Sequence, residues 1–391
     1  MTAALRLQRI GVVGAGLAGL ASALAAARSG RQVTLLEAAP QPPQPRQQPG
    51  SVDVLPAMLR DLVVLGVADD CVRTGFAYRG VDVRGRDGGL LHQVPTEPLA
   101  GARYPAALGM RRADLLAQLE RAALAAGVQL LRGQRVGQVK LASPPSASGA
   151  SGANGAVVQA CAADGRLLCE VDLLLLAVGA GSELRGRVFP EAGPVQPLGQ
   201  RWWYALMRRP PELERPCVVL GGTGQRVVLH PVRHDEAGLA WIEPQLEALP
   251  PDPAAYLRQA LAALPGWAGS LAALIRPDTP VVQRPVYSGL LQPHWHQGSV
   301  LAVGDCAHAL PPHFGQSAAQ AIEDARVLGD LLGNDLGADA LVQAFTARRQ
   351  ERARQVHQLT TTAARWDLHP EGDTDLSSLM DRLQRTVARP A

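Results

Sequence analysis

Lysine is almost missing from this chain: of 38 basic residues among 391, Lys140 is the only lysine. Ala, Gly, Pro and Arg are abundant, which follows the base composition of a GC-rich genome more than any selection for arginine chemistry. Charge of one sign is also missing. The 35 acidic residues leave a net +3, too small and too scattered to argue for a nucleic-acid partner. The five cysteines, Cys71, Cys161, Cys169, Cys217 and Cys306, form no CxxC pair, so the set supports neither a disulfide framework nor a metal site and suits a reducing, cytoplasmic setting. No apolar run approaches the length of a membrane span, and the first residues lack the pattern of a secretory signal. What remains is ordinary globular material. At 47% hydrophobic and 19% charged residues general disorder is excluded, and the length allows two or three domains, interleaved or in series.

The first strong signal is local. Arg9 to Val13 reads as a short apolar strand that runs into Gly14-Ala15-Gly16-Leu17-Ala18-Gly19 and then an Ala-rich helix ending near Ser29, with Gly30 as its cap. A second strand, Gln32 to Leu36, ends in Glu37. This is a dinucleotide fingerprint with its context complete: Gly14 for the tight turn, Gly16 for close approach to a pyrophosphate, Gly19 for helix–strand packing. The helix start meets the phosphate charge. Glu37 stands where a carboxylate accepts from ribose hydroxyls and would repel the extra phosphate of NADP. FAD and NAD are both open at this point.

Further along, Pro40 to Pro49 is a Pro- and Gln-rich loop whose Arg46 is within reach of cofactor phosphates or simply solvated. Leu55 to Leu65 has helical spacing, and Gly80 to Val94 reads as a hairpin turning at Asp87-Gly88-Gly89. Arg111-Arg112-Ala113-Asp114 precedes a helix over Leu115 to Ala126, and near such a helix start the dipole disfavours the Arg112 cation unless an anion is near. Residues 128–140 read as one strand, residues 142–156 as a low-complexity loop, and Ala156 to Val178 as a hairpin with a buried second strand over 171–178. From Trp202 to Glu243, apolar segments alternate with turn residues, as in an antiparallel sheet. Its aromatics stand out in a chain with only 4% aromatic residues. A helix over 253–264, an extended segment over 280–287 and a long helix from about Ala338 to Arg365 complete the reading.

The second strong signal is the stretch Val300 to Asp330, a strand that delivers a polar, glycine-punctuated turn onto an amphipathic helix starting at Ser317. An aspartate beside such a helix start can take a hydroxyl while the backbone amides take a carbonyl or an anion.

Taken together these segments resemble the FAD-dependent aromatic hydroxylases, single-component flavoprotein monooxygenases of the para-hydroxybenzoate and salicylate hydroxylase type. Three matches carry the resemblance: Gly14 to Gly19 with Glu37; Arg112-Ala113-Asp114-Leu115; and Gly304-Asp305-Cys306-Ala307-His308 with Pro311-Pro312, Gly315-Gln316 and Ala321 to Ala325. The resemblance implies a Rossmann-like, α/β FAD-binding domain (GxGxxG βαβ) interleaved with a mainly antiparallel β-sheet substrate domain, plus a C-terminal helix. Residues 1–75, 106–185 and 286–335 are assigned to the first domain, 76–105 and 186–285 to the second, and 336–391 to the C-terminal helical region. It also implies the FAD contacts: Gly14, Ala15, Gly16, Leu17, Ala18, Gly19, Glu37 and Ala38 at the nucleotide end. Arg46, Arg112 and Val136 lie between, and Gly304, Asp305, Pro312, Gly315, Gln316, Ser317 and Ala318 are at the ribityl and ring end. Two positions depart from the family. Val178 stands where its middle motif has an aspartate, and Ser317 where it commonly has a third glycine.

The activity that the resemblance implies is hydroxylation of an electron-rich aromatic molecule with O2 and NADH or NADPH through a C4a-hydroperoxyflavin. The cofactor supplies the hard chemistry and the protein supplies orientation and dryness. The protein is expected to be a monomer or homodimer. A base or acceptor near a substrate hydroxyl would help, and His313, Tyr204 and His230 are the candidates on the substrate side. His308 reads as structural and Cys306 as a small buried filler. Val178 motivates the alternative of a flavoprotein on the same scaffold with another reaction: epoxidation, halogenation, alkene reduction, or oxygenation fed by externally supplied reduced flavin. A flavin-binding protein without turnover is the remaining reading.

Overall fold

A computed structural model describes residues 7–42, 50–142, 157–222, 224–370 and 375–391. Arg46 lies outside the described residues, as does most of the low-complexity segment over 142–156.

One half of the molecule is built on a six-stranded sheet. Arg9–Val13 lies at its centre, parallel to Gln32–Glu37 on one side and Leu173–Leu176 on the other; Gln129–Arg132 and Val300–Ala302 extend the parallel set outward. The four central leucines of 173–176 are fully buried, as a parallel strand covered on both faces requires. The helix Leu17–Arg28 covers one face together with Gln316–Leu332. The two strongest sequence signals, more than 280 residues apart, therefore pack side by side.

Two strands are shorter than their apolar patterns suggest. The run over 128–140 splits into Gln129–Arg132 and Gln138–Ala142. Gly133 turns the chain at φ 71°, and Gly137 passes so near Ala163 that a Cβ would sit 2.7 Å from its Cα. The hairpin over 156–178 keeps Val157–Cys161 against Leu167–Val171, but its second strand breaks at Asp172 and continues as Leu173–Leu176 in the parallel sheet. Asp172 is the pivot. Its carboxylate accepts from the Gln8 and Arg9 amides at 3.0 and 2.8 Å and from the Arg9 guanidinium at 2.9 Å.

An eight-stranded sheet, which includes Val81–Arg84 and Leu90–Val94 from early in the chain, carries the other half. Its long strand Gln196–Arg208 pairs with Glu236–Pro244 and Val281–Leu290, and Gln225–Pro231 follows beyond. Period-2 alternation sorts its aromatics. Trp203, Met207, Leu229, Leu239 and Trp241 pack under the helix Pro253–Ala262 and the turns after it. On the other face, Trp202, Tyr204, Arg226, Val228 and His230 look toward the nucleotide half. A three-stranded sheet, Ser51–Val54, Ala107–Arg111 and Phe76–Tyr78, lies between the halves. Across the junction Asp53 meets His230, Arg111 meets Glu236 and Asp114 meets Arg233. The helix Ala338–Leu368 then runs back along both halves.

Candidate active site

The parallel strands end in a cleft of about 390 Å³. Each glycine of the fingerprint has a separate geometric reason to be there. A Cβ on Gly14 (φ 101°) would lie 2.6 Å from the Ala177 carbonyl oxygen, and one on Gly19 would lie 1.8 Å from that of Gly14. Gly16 differs: a Cβ there would meet nothing within 4 Å, because that position opens on the cleft. No side chain caps the helix that starts at Leu17, so its first amides are left for a ligand anion.

Glu37 lines the cleft at the end of its strand. One carboxylate oxygen accepts from the Ala15 amide and the other from the Ala39 amide, both at 2.7 Å. Those bonds fix the rotamer and leave each oxygen a further lone pair for a sugar hydroxyl. Ala38 and Val136 line the same wall, with Gln134 and Arg135, which the sequence reading missed. Arg112, the first residue of the helix Arg112–Ala125, is packed deeply among protein atoms while its surface opens on the cleft. Desolvation lowers its pKa, Asp305 pulls the other way, and Arg284 adds to the lowering. It stays a cation at any working pH.

At the far end Asp305 is exposed in the cleft and accepts from the Ser317 hydroxyl at 2.7 Å. Ala318 and Ala321 continue the wall along the helix Gln316–Leu332. The loop that presents Asp305 is anchored underneath. Asp324 takes the Gly304 amide at 2.8 Å, His308 Nε2 at 2.8 Å and Arg349 Nε at 2.7 Å. Desolvation would raise the Asp324 carboxyl, but His308 and Arg349 outweigh it and hold it down at about 2. His308 is thus structural, and so is Cys306, whose fully buried thiol is pushed up to about 12 by desolvation.

Other proposed contacts sit elsewhere. Ala15 contributes its amide to Glu37 rather than to the cleft wall, and Gly304 is buried against Ala18. Pro312, Gly315 (φ 64°) and Gln316 continue the loop, and Gly315 lies beside Asp53 and Leu55 at the three-stranded sheet. His313 requires correction as a substrate-side group. Its side chain is buried and turned away, with Nε2 3.0 Å from Asp367 Oδ2 on the C-terminal helix. Burial lowers its pKa while Asp367 opposes the shift. Tyr204 and His230 do come together, beside Asp53, on the inner face of the large sheet. Val178 forms apolar wall with Ala177 and Leu184.

A cleft with a bare helix start, the Glu37 carboxylate, the Arg112 guanidinium and a second carboxylate, Asp305, at its far end fits an extended dinucleotide such as FAD. Comparison with known proteins agrees. The FAD binding domain family matches residues 287–360 and the NAD(P)-binding Rossmann-like domain family residues 12–43. Over 382 residues, 90% of each chain, the protein is 28% identical to 6-hydroxynicotinate 3-monooxygenase of Bordetella bronchiseptica. It is 26% identical to YetM of Bacillus subtilis (strain 168), over 92% of this chain and 94% of that one.

The chain is similar to FAD-dependent monooxygenases over about nine-tenths of its length.

Its fold is that of HpxO from Klebsiella pneumoniae, solved with FAD and uric acid: the TM-score is 0.78 at 23% identity, covering 97% of this chain and 92% of that one.

Proposed function

We propose that this protein is a monooxygenase that uses FAD, O2 and NADH or NADPH to hydroxylate a small aromatic molecule. The observation that carries the reading is the shared cleft: Gly16, Glu37, Arg112 and Asp305 line one continuous surface although they lie in four separate segments of the chain. Bound there, FAD supplies the electron transfer and oxygen activation. The chain's own residues do the rest. The helix start at Leu17 and Arg112 hold the phosphates, Glu37 and Asp305 hold hydroxyls, and the first turn at Ser317 and Ala318 offers amides to the ring. The inner face of the large sheet, with Trp202, Tyr204 and Val228, supplies the dry side of the substrate space.

Purified protein should carry FAD or take it up on reconstitution, and a substrate should accelerate NADH or NADPH oxidation with matching O2 uptake. Colourless protein that gains no FAD would overturn the reading. Val178 favours one alternative, oxygenation fed by externally supplied reduced flavin, since an apolar wall replaces a carboxylate where the family binds both nucleotides. Anaerobic stopped-flow mixing decides: bound FAD that neither NADH nor NADPH bleaches, with aromatic substrates present, selects the alternative.

A further inference from the structure

The loop that leads into the helix Gln316–Leu332 takes a costly path just before the helix begins. Phe314 sits in the left-handed region at φ 63° and ψ 9°, and Gly315 follows at φ 64° and ψ 23°. Glycine adopts that conformation freely, whereas a bulky side chain stays there only where its surroundings compel it. These two residues set the direction in which the helix leaves the loop, and hence where Ser317 and Ala318 stand on the cleft wall. Whatever holds Phe314 in place therefore aims the ring end of the cleft.

The hold comes from the C-terminal helices. Phe314 and Leu310 pack against Val356, Leu359 and Ala363 of the helix Ala338–Leu368 and against Leu379 and Leu383 of the next one, Leu376–Ala388. His313 is wholly buried, and one polar contact fixes its side chain: Nε2 lies 3.0 Å from Asp367 Oδ2, while Nδ1 has no partner among the described residues. Asp367 is itself secured on two other sides. Its second carboxylate oxygen accepts from the Arg226 guanidinium on the large sheet, and its backbone carbonyl accepts from the Gly224 amide at 2.6 Å. It is a fixed post that both halves of the molecule share, and it lies outside the cleft.

We propose that Asp367 is a positioning residue for the cofactor: acting through His313, it holds the Phe314–Gly315 turn and so sets the amides at Ser317 and Ala318 against the ring end of bound FAD. The packing of Phe314 limits where the turn can go; the His313 tether selects one place within that range. Arg226 keeps the Asp367 carboxylate from following the loop, so the turn takes its position from the large sheet as well as from the helix.

The inference rests on the cleft holding FAD and not on the reaction that follows. The full-length chain, stripped of FAD, is titrated with FAD by flavin fluorescence and with ADP, which fills only the nucleotide end, by calorimetry. Asp367→Ala should bind FAD about tenfold more weakly, the effect of losing one hydrogen bond to a charged group. The visible circular dichroism of its bound flavin should shift, and its ADP affinity should match the wild type. His313→Ala should behave in the same way, and the double variant should lose no more than either single one, because the two residues form one tether. Asp367→Asn keeps the shape and an acceptor oxygen; it should show a smaller loss in the same direction, and it stands in if the alanine variant fails to fold. Equal losses of FAD and ADP affinity, an unchanged flavin signal, or additive losses in the double variant would each overturn the proposal. A wild type that binds ADP but no FAD would overturn the FAD reading and this inference with it; a wild type that binds FAD, with variants indistinguishable from it, would overturn the inference alone.

Discussion

Asp305 and Cys306 are neighbours with opposite surroundings, one exposed in the cleft and one fully buried beneath it. Asp305→Ala should weaken FAD binding roughly tenfold or more, as expected for losing a hydrogen bond to a charged group. Cys306→Ala should retain FAD with at most a modest loss of stability. Equilibrium dialysis with the two variants checks this, and equal retention would show that the site is misplaced. Ser317 has a subtler role. Its hydroxyl occupies Asp305 Oδ1, so Ser317→Ala frees that carboxylate to rotate and should weaken FAD by a few-fold while leaving the melting temperature of the apoprotein unchanged.

The elements that carry the cleft differ in how far the sequence disclosed them. The first strand–helix–strand unit was legible because its signals are local: three glycines, a helix start and Glu37 lie within 24 residues of one another. The loop from Gly304 to Ser317 was legible for the same reason. The Asp53–His230 pair was not, since it depends on the register of two strands far apart in sequence and on the room that Gly109 and Gly238 leave for it. His313 was misread because helical and loop patterns do not tell which way one side chain turns; Asp367, far along the C-terminal helix, decides it.

The loop's anchor also sets a pH dependence. Asp324 is depressed from an ordinary value near 3.8 to about 2, so its contribution is complete above the ordinary value and is lost as pH falls through the folded one. Between about pH 4 and pH 2 the protein should lose on the order of 2 kcal/mol from this group. Asp324→Asn should flatten that part of the acid-unfolding profile and lower stability at neutral pH.

At the scale of the molecule, the two halves are bound by polar contacts at several points: Asp53–His230, Arg111–Glu236, Asp114–Arg233, and Asp367, which pairs with Arg226 on the large sheet as well as with His313. Far-UV circular dichroism, tryptophan fluorescence and FAD release should therefore report a single thermal transition. A separate early loss of tryptophan signal would show that the large sheet unfolds alone. Within that sheet, Trp203 is fully buried under its helical cover, and Trp203→Ala should cost about 3–5 kcal/mol, read as a lower urea midpoint.

Arg349 gives these contacts an order in time. It bonds Asp324 and Glu323 from the helix that follows the cofactor loop. A ribosome releases the Gly14–Gly19 turn early, but Asp324, which anchors the Asp305 loop, lacks its Arg349 partner until residue 349 has emerged. During synthesis the glycine turn is therefore in place before the ring end of the cleft, and the complete wall waits for residue 349.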